Sequence, residues 1–365
     1  MEAKAGTIID IENIKESHVL KSEIIGKWEE LHSSPGVFSY KLHVREEKFL
    51  PGRWRIFSQV IVQLQIDLCT FKLNENIFFN QLNPERAKLR RAPEQIESLN
   101  PPFDETKFNF NKTKCEEIVL KVVWRGSAFT LLINKSPLTP YHCLICPRMT
   151  ENVPQVLNQE AIDFSVKLLV ALGDKRFRIG YNSPGALASV NHLHLHLLYL
   201  EQELFVDKLV IFKTAPDCPL QAFCFKVTES EFLEKYELNA LAKISNIIEI
   251  LINKGIPHNL FLILEKTVEE WVVKVFLYVR EKPCVVKDLL ALNIAFCEFS
   301  GYVPVSGKKE FQSRMAFNNL FYKIIIIDTK LFNGLTEEDI VNKIISEIGN
   351  VFEIVEEVVL QNVAL

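Results

Sequence analysis

The sequence predicts an α+β fold: an antiparallel sheet flanked by helices, with a second, strand-rich half. Three observations predict it. Strand-sized apolar runs dominate the chain and come in adjacent pairs joined by turn residues, which favours antiparallel pairing. A few stretches carry apolar residues at helical spacing. The 365 residues are 48% hydrophobic, enough for one large domain or two fused ones, each with its own core.

The elements follow in order. Residues 1–34 read as an N-terminal tail, 35–200 as a first half containing the core of the sheet, and 201–365 as a second half. "GVFSYKLHVREEKFL" reads as an early strand region, and the polar, proline-rich "ERAKLRRAPEQIESLNPPFDETKFNFNK" as a segment wrapped over the surface. "EEIVLKVVWRGSAFTLLINKSPLTPYHCLICP" reads as three strands, with turns at Gly126-Ser127 and at Ser136–Pro140. A helix then carries Ile162, Val166, Leu169 and Val170 on one face and stops at Gly173. "FRIGYNS" and "VNHLHLHLLYL" are strands on either side of a small-residue loop. The second half repeats this pattern. An amphipathic helix ends at Gly255, "HNLFLILEK" and "EEWVVKVFLYVREK" form a hairpin, and a mixed segment follows. A C-terminal helix has Thr336 as its N-cap and the stripe Ile340, Ile344, Ile348 facing the core.

Composition narrows the function classes. A formal charge of -4 and a pI near 6.1 give no sign of the clustered basic surface of a nucleic-acid binder. The N-terminus lacks the charged and apolar regions of a signal peptide, and no apolar run reaches the roughly 18 residues of a membrane span. A cytoplasmic protein without a membrane partner is expected. The eight cysteines are scattered and mostly lie in apolar runs, as buried thiols of a reducing compartment do. Cys143 and Cys146 have CxxC spacing, but on a strand they point to opposite faces.

"SVNHLHLHLLYL" places three of the chain's eight histidines within five residues, with only leucines between them. On a strand, His192, His194 and His196 share one face, and Leu193, Leu195 and Leu197 share the other. Three adjacent imidazoles are a poor choice for packing alone. They suit either zinc ligation or nucleophilic attack on phosphorus. Zinc needs a further ligand, and Tyr181–Tyr199 contains no Asp, Glu or Cys. A largely neutral imidazole is a competent nucleophile near pH 7. The preceding loop favours the second reading. "GYNSPGALASVNH" is rich in small residues that let backbone N–H groups approach an anion, and Asn182, Ser183 and Ser189 add neutral donors.

"HLHLHLL" resembles the histidine-triad signature, and "SPLTPYHCLICPR" resembles the strand that precedes it in that superfamily. "FNFNK", "INKSPLTPYHCLICP", "GYNSPGALASVNHLHLHLLYL", "HNLFLIL", "KVFLYVREK" and "NIAFCEFSGYVPV" resemble, in order, blocks of the GDP-D-glucose phosphorylase family, animal relatives of the plant GDP-L-galactose phosphorylases. The resemblance implies conversion of GDP-D-glucose and inorganic phosphate to GDP and glucose 1-phosphate, with no metal and no cofactor. It implies His194 as the nucleophile that carries the guanylyl group, with His192 and His196 orienting and donating. Asn182 and Ser189 are then expected to hold the α-phosphate and His142 to brace the triad. Lys287 and Glu298 lie on matching stretches and are expected near the substrate. Arg86, Arg90 and Arg91 suit either phosphate binding or a solvated basic face. A homodimer follows only by analogy with the wider superfamily.

Some residues depart from the family pattern. Leu197 and Leu198 replace a glycine and a tyrosine, "CVVK" at Cys284–Lys287 lacks a Phe-Gly pair, and Tyr302 stands where a histidine is usual. These changes bear on the sugar pocket more than on the chemistry. Residues 60–81 interrupt the pattern, and removing them joins "RIFSQ" to "LNPERAKLRR". That join marks either a translated intron or a surface insertion, which a loop tolerates at little cost. A hydrolase, with water replacing phosphate, and a silent nucleotide-binding protein are the alternatives. The sequence singles out neither base nor sugar.

Overall fold

The computed structural model describes residues 7–12, 17–42, 98–208, 240–266, 270–284 and 293–306. It also describes the shorter stretches 46–49, 57–58, 71–72, 79–83, 222–229, 337–351 and 354–355, and Phe232. The chain opens with strand β1 (Ile8–Asp10) and helix α1 (Ser17–Ser33), followed by the short strands β2 (Glu46–Phe49), β3 (Phe57–Ser58), β4 (Phe71–Lys72) and β5 (Phe79–Asn83). The expected triple of strands is present as β6 (Ile118–Trp124), β7 (Ser127–Ile133) and β8 (Cys143–Pro147). Arg125 and Gly126, both at positive φ, make the first turn, one residue ahead of its expected place. Helix α2 (Gln159–Leu172) starts on Asn158, whose side chain accepts from the Ala161 N–H, and ends on left-handed Gly173.

Strands β9 (Phe177–Asn182), β10 (Leu195–Tyr199) and β11 (Phe223–Thr228) precede helix α3 (Ala240–Asn253), and β12 (His258–Lys266) and β13 (Trp271–Val279) follow it. The one-turn helix α4 (Phe296–Phe299), strand β14 (Tyr302–Ser306) and helix α5 (Glu337–Ile348) complete the elements named among the described residues. A nine-stranded sheet runs β1-β6-β7-β8-β10-β9-β12-β13-β11 among the described residues. It is antiparallel except where β1 joins β6. The similarity of the two halves has a structural counterpart. Each of α2 and α3 is followed by a left-handed glycine, a strand and that strand's antiparallel partner, and β9 and β12 meet where Gly180 faces Phe261.

Two expectations change. Residues 17–33 are no loose tail: α1 buries Leu20, Ile24, Trp28 and Leu31 in the main core. Among the described residues of the early strand region only Glu46–Phe49 pairs as a strand, and those from Gly36 to Leu42 are turn and coil. Of residues 60–81, only β4 and the first three residues of β5 are described, and the expectation about the rest lies outside the described residues. Thr336 lies outside them too, whereas Ile340, Ile344 and Ile348 are buried as expected.

The two faces of the sheet differ in what covers them. Leu195, Leu197, Ile179, Leu260 and Leu262 lie in the main core with α1, α2 and α3. The opposite face carries a row fixed by strand register: Leu132, Leu144, His196, Gly180, Phe261, Phe276 and Cys224 stand side by side across seven strands. Helix α4 lies on that face against β9 and β12. Cys143 packs in the main core and Cys146 in a smaller cluster with Phe110, Leu132, Leu144 and Val190. Burial pushes both thiols far up, so they stay protonated.

Candidate active site

Of the three clustered histidines only His196 stands on a strand, because β10 begins at Leu195. His192 and His194 lie in the chain just ahead of it, so the alternation does not put three rings on one pleated face. Leu193, Leu195 and Leu197 are fully buried in the main core, as expected. Local hydrogen bonds set each ring separately.

His192 is buried, with Phe103 edge-on to its ring and Phe110 tilted beside it. Its Nδ1 accepts from the Phe110 N–H at 3.1 Å. A backbone N–H can only donate, so the ring proton belongs on Nε2. Burial pushes its pKa down to about 4, against a smaller upward pull from the Met149 carbonyl. The His192 ring is therefore a neutral group packed out of solvent. The backbone of His192 sets the next ring, because His194 Nδ1 lies 2.8 Å from the His192 carbonyl oxygen. A carbonyl only accepts, so His194 carries its proton on Nδ1 and its lone pair on Nε2.

His196 is set by His142. The Leu138 N–H donates to His142 Nδ1 at 3.0 Å, which puts the His142 proton on Nε2. That nitrogen lies 3.0 Å from His196 Nδ1. The Asn134 amide nitrogen also lies 3.1 Å from His142 Nε2, and where His142 donates to His196 Nδ1, His196 carries its own proton on Nε2. His142 is buried, and its backbone is pinned as well: its carbonyl accepts from Trp28 Nε1 and from the Asn134 N–H. The Tyr302 hydroxyl, from the second half, donates to the Leu138 carbonyl at 3.2 Å. The tyrosine at the departing position thus supports the same loop that fixes His142.

The small-residue loop is tied down at both ends. Ser183 exchanges two hydrogen bonds with the His258 backbone, one through its N–H and one through its Oγ. Asn259 Nδ2 donates to Asn182 Oδ1 at 2.6 Å and to the Ala186 carbonyl at 2.9 Å. Gly185 is required at its place: φ is +73°, and a Cβ there would stand 2.2 Å from a Leu99 methyl. Leu187 also adopts a positive φ of 73°, a strained conformation of a kind that gathers at functional sites. Among the described residues, the backbone N–H groups of Ser189 and Val190 have no acceptor. Ser189 is half-buried, and Asn182 is buried at the end of β9.

Phe296 closes the histidine face. Its ring centroid is 5.2 Å from that of His196, and its N–H points to Asn182 Oδ1 at 3.4 Å. The ring occupies the space where a side chain on Gly180 would be, 2.2 Å from an added Cβ. Glu298, expected near the substrate, accepts from the Ala295 N–H and caps this one-turn helix. Lys287, Arg86, Arg90 and Arg91 lie outside the described residues.

Sequence reading missed Gln155, Asn259, Phe296 and Phe110. Three of them lie in the blocks "FNFNK", "HNLFLIL" and "NIAFCEFSGYVPV", so the resemblance had marked the stretches without marking the residues. Gln155 carried no signal beyond being polar between Pro154 and Val156. The wrapping segment also touches the site: Asn191 Nδ2 donates to the Pro101 and Pro102 carbonyls, and Phe103 and Phe110 flank His192.

Comparison with known proteins adds an independent line. Residues 65–198 match the family description "GDPGP1-like, N-terminal domain", a match that begins within the 60–81 segment. The chain is 30% identical over 301 residues to GDP-D-glucose phosphorylase 1 of Homo sapiens, covering 76% of this chain and 72% of that protein. It is 29% identical over 297 residues to GDP-D-glucose phosphorylase 1 of Danio rerio, covering 78% and 80%. Among solved structures, yeast Ap4A phosphorylase Apa2 in complex with AMP superposes with a TM-score of 0.51 at 18% identity, over 87% of this chain and 96% of that one. That likeness is one of fold.

Proposed function

This chain belongs to the GDP-D-glucose phosphorylase family, and from that premise we propose that it is a GDP-hexose phosphorylase working through a guanylyl-histidine intermediate. The observation that carries the mechanism is the 2.8 Å contact of His194 Nδ1 with the His192 carbonyl, which leaves the lone pair on Nε2. His194 Nε2 attacks the α-phosphorus of GDP-D-glucose. The bond between that phosphorus and the bridging oxygen breaks, and glucose 1-phosphate leaves with the bond's electron pair. The guanylylated ring is cationic, and the His192 carbonyl stabilises its Nδ1–H. An oxygen of inorganic phosphate then attacks the same phosphorus, releasing GDP and restoring the neutral imidazole. Division into two displacements suits a histidine nucleophile.

The remaining roles follow from the fixed donors. The His196 Nε2–H, set by His142, donates to an oxygen on the reacting phosphorus. Donors already oriented before the charge develops need no reorganisation in the transition state. The Ser189 and Val190 N–H groups and the Asn182 amide belong to the loop that would carry the rest of the phosphate. A cytosolic setting suits the buried, protonated thiols and the phosphate co-substrate. No helix among the described residues is long and apolar enough to cross a membrane.

Product analysis tests the reading. With GDP-D-glucose and phosphate, GDP and glucose 1-phosphate are expected in equal amounts. Without phosphate, turnover should stop after about one glucose 1-phosphate per active site. Continued release of GMP without phosphate would make the protein a hydrolase instead.

A further inference from the structure

Gln155 lies in the loop before α2, 39 residues from His194, and is fully buried. Its amide meets both peptide groups of the nucleophile. Oε1 accepts from the His194 N–H at 2.9 Å, and Nε2 donates to the His194 carbonyl at 3.1 Å. Nε2 also donates to the Asn182 carbonyl at 3.0 Å. The orientation of the amide is unambiguous, because the backbone N–H can only donate and both carbonyls can only accept.

The place of this amide explains why β10 starts where it does. The β9–β10 register ends at His196 against Gly180, and two residues further it would set His194 against Asn182. At that point the Gln155 amide takes the N–H and carbonyl of His194 and the carbonyl of Asn182. The ladder stops, and His194 is held by a side chain rather than by a strand. Gln155 is itself fixed at both ends of its peptide: its N–H donates to Asn191 Oδ1 at 3.0 Å, and its carbonyl accepts from the Tyr181 hydroxyl at 2.9 Å. Asn191 directly precedes His192, so Gln155 holds the chain on both sides of His192.

We propose that Gln155 is a positioning residue for guanylyl transfer. It fixes the His194 backbone so that Nδ1–H reaches the His192 carbonyl and Nε2 faces the phosphorus. Substrate itself does not touch Gln155. The inference rests on His194 being the nucleophile, and the experiment separates the two.

The test uses the full chain with Gln155→Glu and Gln155→Met, which keep the length of the side chain and remove the N–H donors. Nitrogen-15 NMR of histidine-labelled protein, with the His194 signals assigned from His194→Asn, reads the tautomer without any substrate. The parent should show His194 with its proton on Nδ1, and both variants should lose that preference. Single-turnover formation of the adduct from GDP-D-glucose should slow at least thirtyfold in both, with KM for the nucleotide sugar changed less than threefold. An unchanged His194 tautomer together with an adduct rate within threefold of the parent would overturn the proposal. If the parent shows the tautomer but forms no adduct, the nucleophile assignment fails and the tautomer arm still decides the positioning role. Should both variants fail to fold, Tyr181→Phe removes only the hydroxyl that holds the Gln155 carbonyl. It should weaken the tautomer preference and slow the adduct step severalfold, and no change in either would again overturn the proposal.

Discussion

His194, His192 and His142 differ in chemistry because each ring meets a different backbone group, and His196 answers to the ring of His142. Nothing in the imidazole ring decides which nitrogen is basic, so a peptide N–H or carbonyl beside it does. The chain of donors from Leu138 through His142 to His196 makes His142 a positioning residue for the donor. We predict that His142→Ala lowers kcat for phosphorolysis on the order of 10²-fold, the scale of one positioned proton donor, with little change in KM. An unchanged kcat in folded protein would refute this role. A second prediction concerns acid stability. Burial holds both His192 and His258 down to about 4, below the usual histidine value of 6.5. The unfolded chain therefore binds more protons than the folded one between those values. Stability is full above about pH 6.5 and falls as pH drops toward 4, by roughly 3 kcal/mol per group at the end of that window. Urea unfolding at a series of pH values should show the loss, and His258→Gln should remove part of the slope. A flat profile from pH 7 to 4.5 would contradict it.

Among the elements, the pairing of β9 with its neighbours matters most, because Gly180 stands in the histidine row and Phe296 lies over it. The glycine is needed for close approach of a ring. Gly180→Ala must push Phe296 off His196 and out of its contact with Phe261, whose ring centroid is 6.2 Å away. We predict a loss of about 1–3 kcal/mol in unfolding free energy, the range for overpacking a buried site, and at least tenfold slower phosphorolysis. An unchanged urea midpoint would show that the ring has room to move. Helix α4 owes its importance to this contact, since one turn capped by its own Glu298 has little stability of its own.

Across the molecule, a continuous sheet joins two similar units at β9 and β12, and the site draws on both. The first unit supplies the four histidines and Gln155, and the second supplies Asn259, Phe296 and Tyr302. How much of this the sequence carried depends on the range of the interaction. The strands β6 to β8, the helices ending at Gly173 and Gly255 and the β12–β13 hairpin were legible, because periodicity and turn residues are local. So were the buried leucines between the histidines. The start of β10 was not legible, because a glutamine 39 residues away decides it. The setting of the His192 ring was not legible for the same reason: it answers to Phe110, 82 residues upstream, and an alternating pattern contains no trace of that contact. Asn259 and Phe296 belong to the second unit and reach the first only through tertiary packing.

Transfer of the guanylyl group to His194 is the step on which the other roles depend, and intact-protein mass spectrometry after mixing with GDP-D-glucose reads it without an intermediary assay. In the absence of phosphate the parent protein should gain the mass of one GMP group. Added phosphate should remove that increment with formation of GDP, and His194→Asn should never acquire it. The same mass increase in His194→Asn, or phosphorolysis by that variant at the parent rate, would place the nucleophile elsewhere.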